Sequence, residues 1–180
     1  ATKQHDTEKI GRFGLGFNAV YNLTDVPMFI SRNNFVIFDP HTSYLGKALK
    51  NKTKPGMKIN VNKEVTRLRK FKNQFKPFNG IFGCDLNLQK EDNSFNGTLF
   101  RFPLRTSEQA LKSEIKKLAY DDTQMRELLL MLIKGAKTLL LFTQNVLRVS
   151  IFSLNTPEVQ DETVKLMFKI TKSLSQDGIV

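Results

Sequence analysis

The stretch Ile10-Gly11-Arg12-Phe13-Gly14-Leu15-Gly16-Phe17, running on into Asn18-Ala19-Val20-Tyr21, decides how this chain is read. Three glycines fall within six residues, and helical spacing begins immediately after them. Glycine tolerates positive φ and leaves the backbone N–H groups uncovered. Such donors feeding a helix N-terminus form an anion site, because the N–H groups and the helix dipole both favour negative charge. Two readings stand side by side on spacing alone. One is a nucleotide phosphate loop; the other is a tight turn that lets Phe13 and Phe17 pack. The order Gly-x-x-Gly-x-Gly, with no hydrophobic strand before it, excludes a Rossmann fingerprint. No Gly-Lys-Ser or Gly-Lys-Thr occurs, which excludes a Walker-type loop.

Working outward, Phe17, Val20, Tyr21 and Thr24 fall at i, i+3, i+4 and i+7, the stripe of a short buried helix, and Pro27 stops it. Met28 to Ser31 and Phe35 to Phe38 read as two strands turning at Asn33-Asn34, closed by Asp39-Pro40-His41. Residues 42–66 carry little pattern and read as a long surface excursion with a turn at Pro55-Gly56. Leu68 to Phe82 interleaves Phe71, Phe75, Phe78 and Phe82 with basic residues, and core packing is the expected role of these rings. Ile81 to Leu88 reads as a strand, as does Gly97 to Leu104, which Pro103 confines to an edge or an end.

Two helices follow. Thr106 with Gln109 has the spacing of a capping box ahead of the stripe Leu111, Ile115 and Leu118. Asp121 or Asp122 opens the second, which carries Met125, Leu128, Leu129, Leu132, Ile133, Ala136, Leu139 and Leu140. Apolar around much of its circumference, it is expected to be largely buried. Val146 to Leu154 and Val164 to Ile170 then read as a terminal antiparallel pair.

Composition bounds the function. The 180 residues include 15 Phe and are 40% hydrophobic, enough for a real core and against disorder. With the single Cys84, an internal disulfide and a multi-thiolate zinc site are excluded, which fits a reducing compartment. His5 and His41 have no ligand-spaced partners, so no metal site is assigned. The longest apolar runs, Leu128 to Ile133 and Leu139 to Phe142, are split by Lys134, Gly135 and Lys137 and fall short of the roughly 18 residues a membrane span needs. A soluble, cytoplasmic protein with no membrane association is expected. Of the net charge of +11, nearly all comes from residues 47–76, which hold eleven Lys or Arg against the single acid Glu64. Such a segment points to a second class of function, a basic binding module for nucleic acid or for acidic protein segments, with Arg67, Arg69, Lys70 and Lys72 as its electrostatic patch. No RNP, KH, zinc-finger or homeodomain signature accompanies it, so nucleic acid is the less favoured partner.

The order of glycine box, helix, strands, Gly-Thr strand, two helices and strand resembles the C-terminal part of a chaperone-type ATP-binding fold. Heat-shock chaperone ATPases, type II topoisomerases, MutL proteins and histidine kinases share that fold. Gly11 through His41, including Thr24-Asp25-Val26-Pro27 and Val36-Ile37-Phe38-Asp39-Pro40-His41, looks like one of the large repeats of the sacsin family, as does Phe71-Lys72-Asn73-Gln74-Phe75-Lys76-Pro77-Phe78. The resemblance implies an α/β two-layer sandwich, with a mixed, mainly antiparallel sheet and helices on one face. Residues 1–154 would form the partial ATP-binding domain and 155–180 a C-terminal strand extension.

It further implies that Gly11, Arg12, Phe13, Gly14, Leu15, Gly16 and Phe17 face nucleotide phosphates and that Thr98 lies on the adenine side, with ATP and Mg²⁺ as ligands. The family's general-base Glu, metal-binding Asn and adenine-binding Asp precede the glycine box and are not found in this chain, and Glu8 sits in the wrong place to replace the base. No catalytic residue is therefore assigned, and neither firm ATP binding nor hydrolysis is expected of this chain alone. The implied partners are other chaperones, client protein segments, the preceding part of the same domain, or a second copy of the chain.

Overall fold

The computed structural model describes residues 15–46, 56–141, 143, 145–154 and 164–173. They belong to two compact units, one of Asn18–Tyr120 and one drawn from Ala1–Phe17 together with Asp121–Val180. Both are antiparallel sheets combined with helices, the α/β class.

In the first unit, strands β1 (Met28–Arg32), β2 (Asn34–Phe38), β3 (Gly56–Asn60) and β4 (Phe95–Arg101) form one sheet in the order β3-β2-β1-β4. Every pair in it is antiparallel. The Asn33 turn sets the register Ile30↔Phe35, and that register places Met28, Ile30, Phe35, Ile37, Met57, Ile59 and Leu99 on a single face. Helix α2 (Val65–Arg69) and three single 3₁₀ turns, Lys72–Gln74, Lys76–Phe78 and Ile81–Gly83, lie in the segment that supplies the second layer. Leu68, Phe75, Phe78, Cys84, Leu86 and Leu88 from this layer join Ile30, Phe35, Ile59 and Val61 in one buried cluster. The rings of Phe75 and Phe78 meet Phe35 edge-on at 5.0 and 5.5 Å, the geometry the aromatic quadrupole favours. On the sheet's other face Phe29 lies 5.2 Å from Phe100 and 6.2 Å from Phe38.

Three expectations for this unit are corrected. The excursion 42–66 contains strand β3, and Gly56 is a strand residue, not part of a turn. A Cβ there would clash with the Ile37 carbonyl oxygen, so the close approach of β3 to β2 depends on glycine. Residues 81–88 form no strand. Their alternation is real, since Cys84, Leu86 and Leu88 are buried, but positive φ at Phe82, Gly83 and Leu88 breaks any ladder. Side chains take up its backbone instead, as where Leu86 N–H donates to Asn79 Oδ1 at 2.7 Å. Finally, only half of the interleaved rings are core. Phe75 and Phe78 are buried, while Phe71 is 57% and Phe82 67% exposed.

Helix α3 (Ser107–Lys112) has the expected capping box, with Thr106 and Gln109 bonding reciprocally. It stops before the expected stripe is complete, because Ser113 turns extended, and Leu111 is left exposed.

Helix α1 (Leu15–Asn18) is a single turn at the boundary of the two units, and the elements that follow belong to the second. Asp121 caps α4 (Asp122–Lys134) through a capping box with Gln124, and α5 (Ala136–Leu139) follows Gly135. Strands β5 (Arg148–Leu154) and β6 (Val164–Thr171) form the expected antiparallel pair. The expected burial of α4 is not found. Leu128, Leu130, Met131 and Leu132 are exposed, and the buried residues of this run, Ala136 and Leu140, lie beyond the end of α4. An apolar circumference makes burial favourable, but it does not provide the surface to bury against.

The single thiol gives a check on the core. Burial, and then the negative charge of Asp85, push Cys84 up from 9.0 to about 11. A raised pKa means the folded state holds the proton more tightly, so this group's contribution to stability is complete below pH 9 and is lost as pH climbs through about 11. Iodoacetamide labelling at pH 8 is expected to be slow in the native protein and fast in denaturant. Equal rates would show that Cys84 is not in the core.

Candidate functional site

The residues singled out for nucleotide binding are only partly placed. Gly11, Arg12, Phe13 and Gly14 lie outside the described residues. Leu15, Gly16 and Phe17 belong to α1. Gly16 is exposed, its φ is not in the left-handed region, and a Cβ added to it would meet no atom within 4 Å. Among the described residues, neither packing nor backbone geometry therefore requires glycine at position 16. Thr98 sits on β4, opposite Ser31, with the two hydroxyls 2.9 Å apart on the sheet face away from the core.

The basic patch divides into two kinds of residue. Arg67 Nη1 donates to Glu64 Oε2 at 2.8 Å, an exposed pair one turn apart. Arg69 Nε donates to the Leu88 carbonyl at 2.9 Å and so ties α2 to the end of the layer. Lys70 and Lys72 are exposed with no ion-pair partner among the described residues.

The most elaborate polar arrangement is one that sequence reasoning gave no role. Arg105 lies between β4 and α3 and is 1% exposed. Its Nε and Nη2 both reach Asp25 Oδ1, at 2.8 and 2.6 Å. Nη2 also donates to the Tyr21 carbonyl at 3.0 Å, while Nη1 donates to the carbonyls of Asn22 and Leu118 at 3.3 and 3.0 Å. Ser113 Oγ donates to the same Asp25 oxygen at 3.0 Å and accepts the N–H groups of Ile115 and Lys116. The backbone joins in, with Arg105 N–H on the Leu23 carbonyl and Tyr120 N–H on the Arg105 carbonyl. One guanidinium thus fastens the 3₁₀ turn Ala19–Asn22, the Asp25 corner before β1, and the chain after α3. Tyr21 and Asn22 lie at the C-terminal end of that turn, where carbonyls lack helical partners and a cation is favourable.

Beside this knot lies a second buried carboxylate. Asp39 accepts the N–H groups of Ser43, Tyr44 and Leu45 at 3.1, 2.8 and 2.6 Å, which closes the turn after β2. Tyr44 reaches back towards Asp25 Oδ2 at 3.4 Å, a long contact. Burial first, and then the charge of Asp25, raise the Tyr44 phenol above its ordinary value. His41 Nδ1 lies 3.1 Å from Glu114 Oε2 at the surface, a pair worth little to stability. The space enclosed by Asp25, Asp39, His41, Ser43, Tyr44, Glu114 and Ile115 is about 10 Å³, room for about one water. Asp25 and Asp39 both bond groups of the fold itself, so the arrangement acts as a structural fastening. The signal for it in the sequence was thin. Asp25 falls in the stretch Thr24-Asp25-Val26-Pro27, but nothing local marks Arg105 as its partner 80 residues away.

Antiparallel sheets combined with helices, and a buried Arg–Asp knot, define an α/β protein. The chain belongs to the sacsin domain family, whose model matches residues 1–166. It is 44% identical to human sacsin over 145 residues, which is 80% of this chain and 3% of that relative's length. Among the described residues, no helix is long and apolar enough to cross a membrane.

The knot makes a quantitative prediction. Truncating Arg105 to Ala leaves a buried carboxylate and three carbonyls without their donor, a loss expected to cost about 3–5 kcal/mol. Arg105→Lys keeps the charge but cannot span the same acceptors, so it falls between wild type and Arg105→Ala. Urea melts of the three proteins check this. A loss below about 1 kcal/mol for Arg105→Ala would mean the network carries little of the fold.

Proposed function

We propose that this chain is part of a chaperone-type nucleotide-binding module that acts in the cytoplasm with other chaperones or client protein segments. In this reading the backbone of Gly11 to Phe17 offers N–H groups to the phosphates of ATP, and Thr98 lies on the base side. Membership of the sacsin domain family supports it, and one observation carries it. Gly16 stands in a helical turn with open space where its side chain would be. Alanine is the better former of a helical turn, and nothing in the described fold offsets that preference. Close approach of a ligand to the backbone is a reason for glycine that the fold itself does not supply.

The same reading limits the chemistry. Among the described residues, no group of three His, Cys, Asp or Glu could hold a metal ion. Mg²⁺ therefore has no assigned ligand here and no step is derived through it. The reading assigns this chain a share of the phosphate contacts and no general base. Binding weaker than low-micromolar and no hydrolysis above background are expected of it alone.

Titration with ATP and Mg²⁺, for wild type and Gly16→Ala, tests the proposal. Gly16→Ala is expected to leave the melting temperature unchanged or slightly raised, since alanine is the better helix former. It is expected to weaken ATP by about tenfold, because the added Cβ holds the phosphate oxygens away from backbone N–H groups that alanine still carries. Unchanged ATP affinity with a lowered melting temperature would assign the glycine to packing and end the nucleotide reading.

A further inference from the structure

The fold separates what the sequence interleaves along residues 67–82. Leu68, Phe75 and Phe78 anchor the segment in the core, and Arg67 and Arg69 are engaged by Glu64 and the Leu88 carbonyl. Between these anchors lies an unbroken exposed run, Arg69 to Gln74, with Phe71 57% exposed between Lys70 and Lys72. Lys76, on the next 3₁₀ turn, is exposed as well. Among the described residues, none of these three lysines has a carboxylate within ion-pair distance. Residues 56–76 contain seven Lys or Arg and one acid, so no balancing charge is near in the chain. Leaving a phenyl ring in water is unfavourable, and so is crowding like charges around it. The anchoring of this layer requires neither.

We propose that Lys70, Phe71, Lys72 and Lys76 form a docking surface for an acidic, extended protein segment bearing an apolar side chain. The charge of the surface selects acidic partners and speeds encounter. The ring gives an anchor that charge alone does not, in the way aromatic residues dominate small interfaces. The division of the rings favours a peptide over nucleic acid. Non-specific single-strand binding uses successive aromatic platforms along a groove, and here Phe75 and Phe78, the rings that would join the exposed Phe71 and Phe82 into such a series, are turned into the core, and only Phe71 of the exposed two is flanked by lysines. This inference does not depend on the nucleotide reading.

The test uses a fluorescein-labelled twelve-residue peptide of Glu, Asp and Ser with one central Leu, its Gln/Asn analogue, and a labelled oligothymidine. Three variants are compared with wild type: Lys70→Glu with Lys72→Glu; Phe71→Ser; and Lys134→Glu with Lys137→Glu, a charge-matched control in the other unit. All five positions are exposed, so the variants are expected to fold, and circular dichroism checks this. At low salt the acidic peptide is expected to bind and its Gln/Asn analogue not to. Reversal at 70 and 72 is expected to weaken binding by about tenfold or more, against less than about threefold for the control, which makes the same change of net charge and leaves Lys70, Phe71, Lys72 and Lys76 intact. Phe71→Ser is expected to weaken it several-fold with the salt dependence unchanged, since a ring releases no counterions. Equal losses in the control, no effect of Phe71→Ser, no measurable peptide binding, or tighter binding of oligothymidine would each overturn the proposal.

Discussion

The pairing of Arg105 with Asp25 is the interaction on which the unit of residues 18–120 depends. Two buried charges gain little as a pair, because desolvation offsets most of their attraction. The value of this pair lies in what else the guanidinium reaches. It satisfies carbonyls at Tyr21, Asn22 and Leu118, groups at the ends of segments that have no ladder or helical partner of their own. Leucine at 105 would fill similar space and leave every one of those acceptors unpaired. The planar five-donor fork of arginine is the side chain suited to joining three chain segments at one point. Ser113 extends the same logic, tying the end of α3 to the carboxylate Arg105 holds.

Local signals were legible and distant ones were not. The capping boxes at Thr106 and Asp121 appear as read, because each is closed by residues three apart. The hairpin of β1 and β2 appears because its alternation and its turn agree. Strand β3 was hidden, since its five residues include Gly56, Lys58 and Asn60, and only its pairing with β2 makes them a strand. Residues 84–88 misled in the opposite sense. Their period-two burial arises from packing an extended chain on the core, with no neighbour to pair with. The four phenylalanines of the basic segment looked equivalent, yet two 3₁₀ turns aim Phe75 and Phe78 inward and leave Phe71 outside. Arg105 was invisible for the simplest reason, that its meaning lies in residues far from it in the chain.

Among the glycines, the same separation of local and distant causes bears on function. Gly56 is explained by the carbonyl pressed against it, and a substitution there would disturb the sheet. Gly16 has no such explanation among the described residues. A residue the fold does not need, in a stretch that resembles a phosphate loop, is where a ligand-based reason belongs. Thr98 is different, because its hydroxyl already has a partner in Ser31, and a role towards a base would require that pair to open or to share.

The buried state of the Arg105 guanidinium is open to direct measurement by the exchange of its Nε–H proton in a ¹⁵N spectrum. Arg126 provides the reference, since its Nε also lies 2.8 Å from a carboxylate, that of Asp122, but at the surface with 66% of the side chain exposed. If Arg105 holds the three segments as described, its Nε–H exchanges at least about a hundredfold more slowly than that of Arg126, because release requires opening of the surrounding structure. Exchange at the Arg126 rate would show that the guanidinium is open to water and that the fold is held elsewhere.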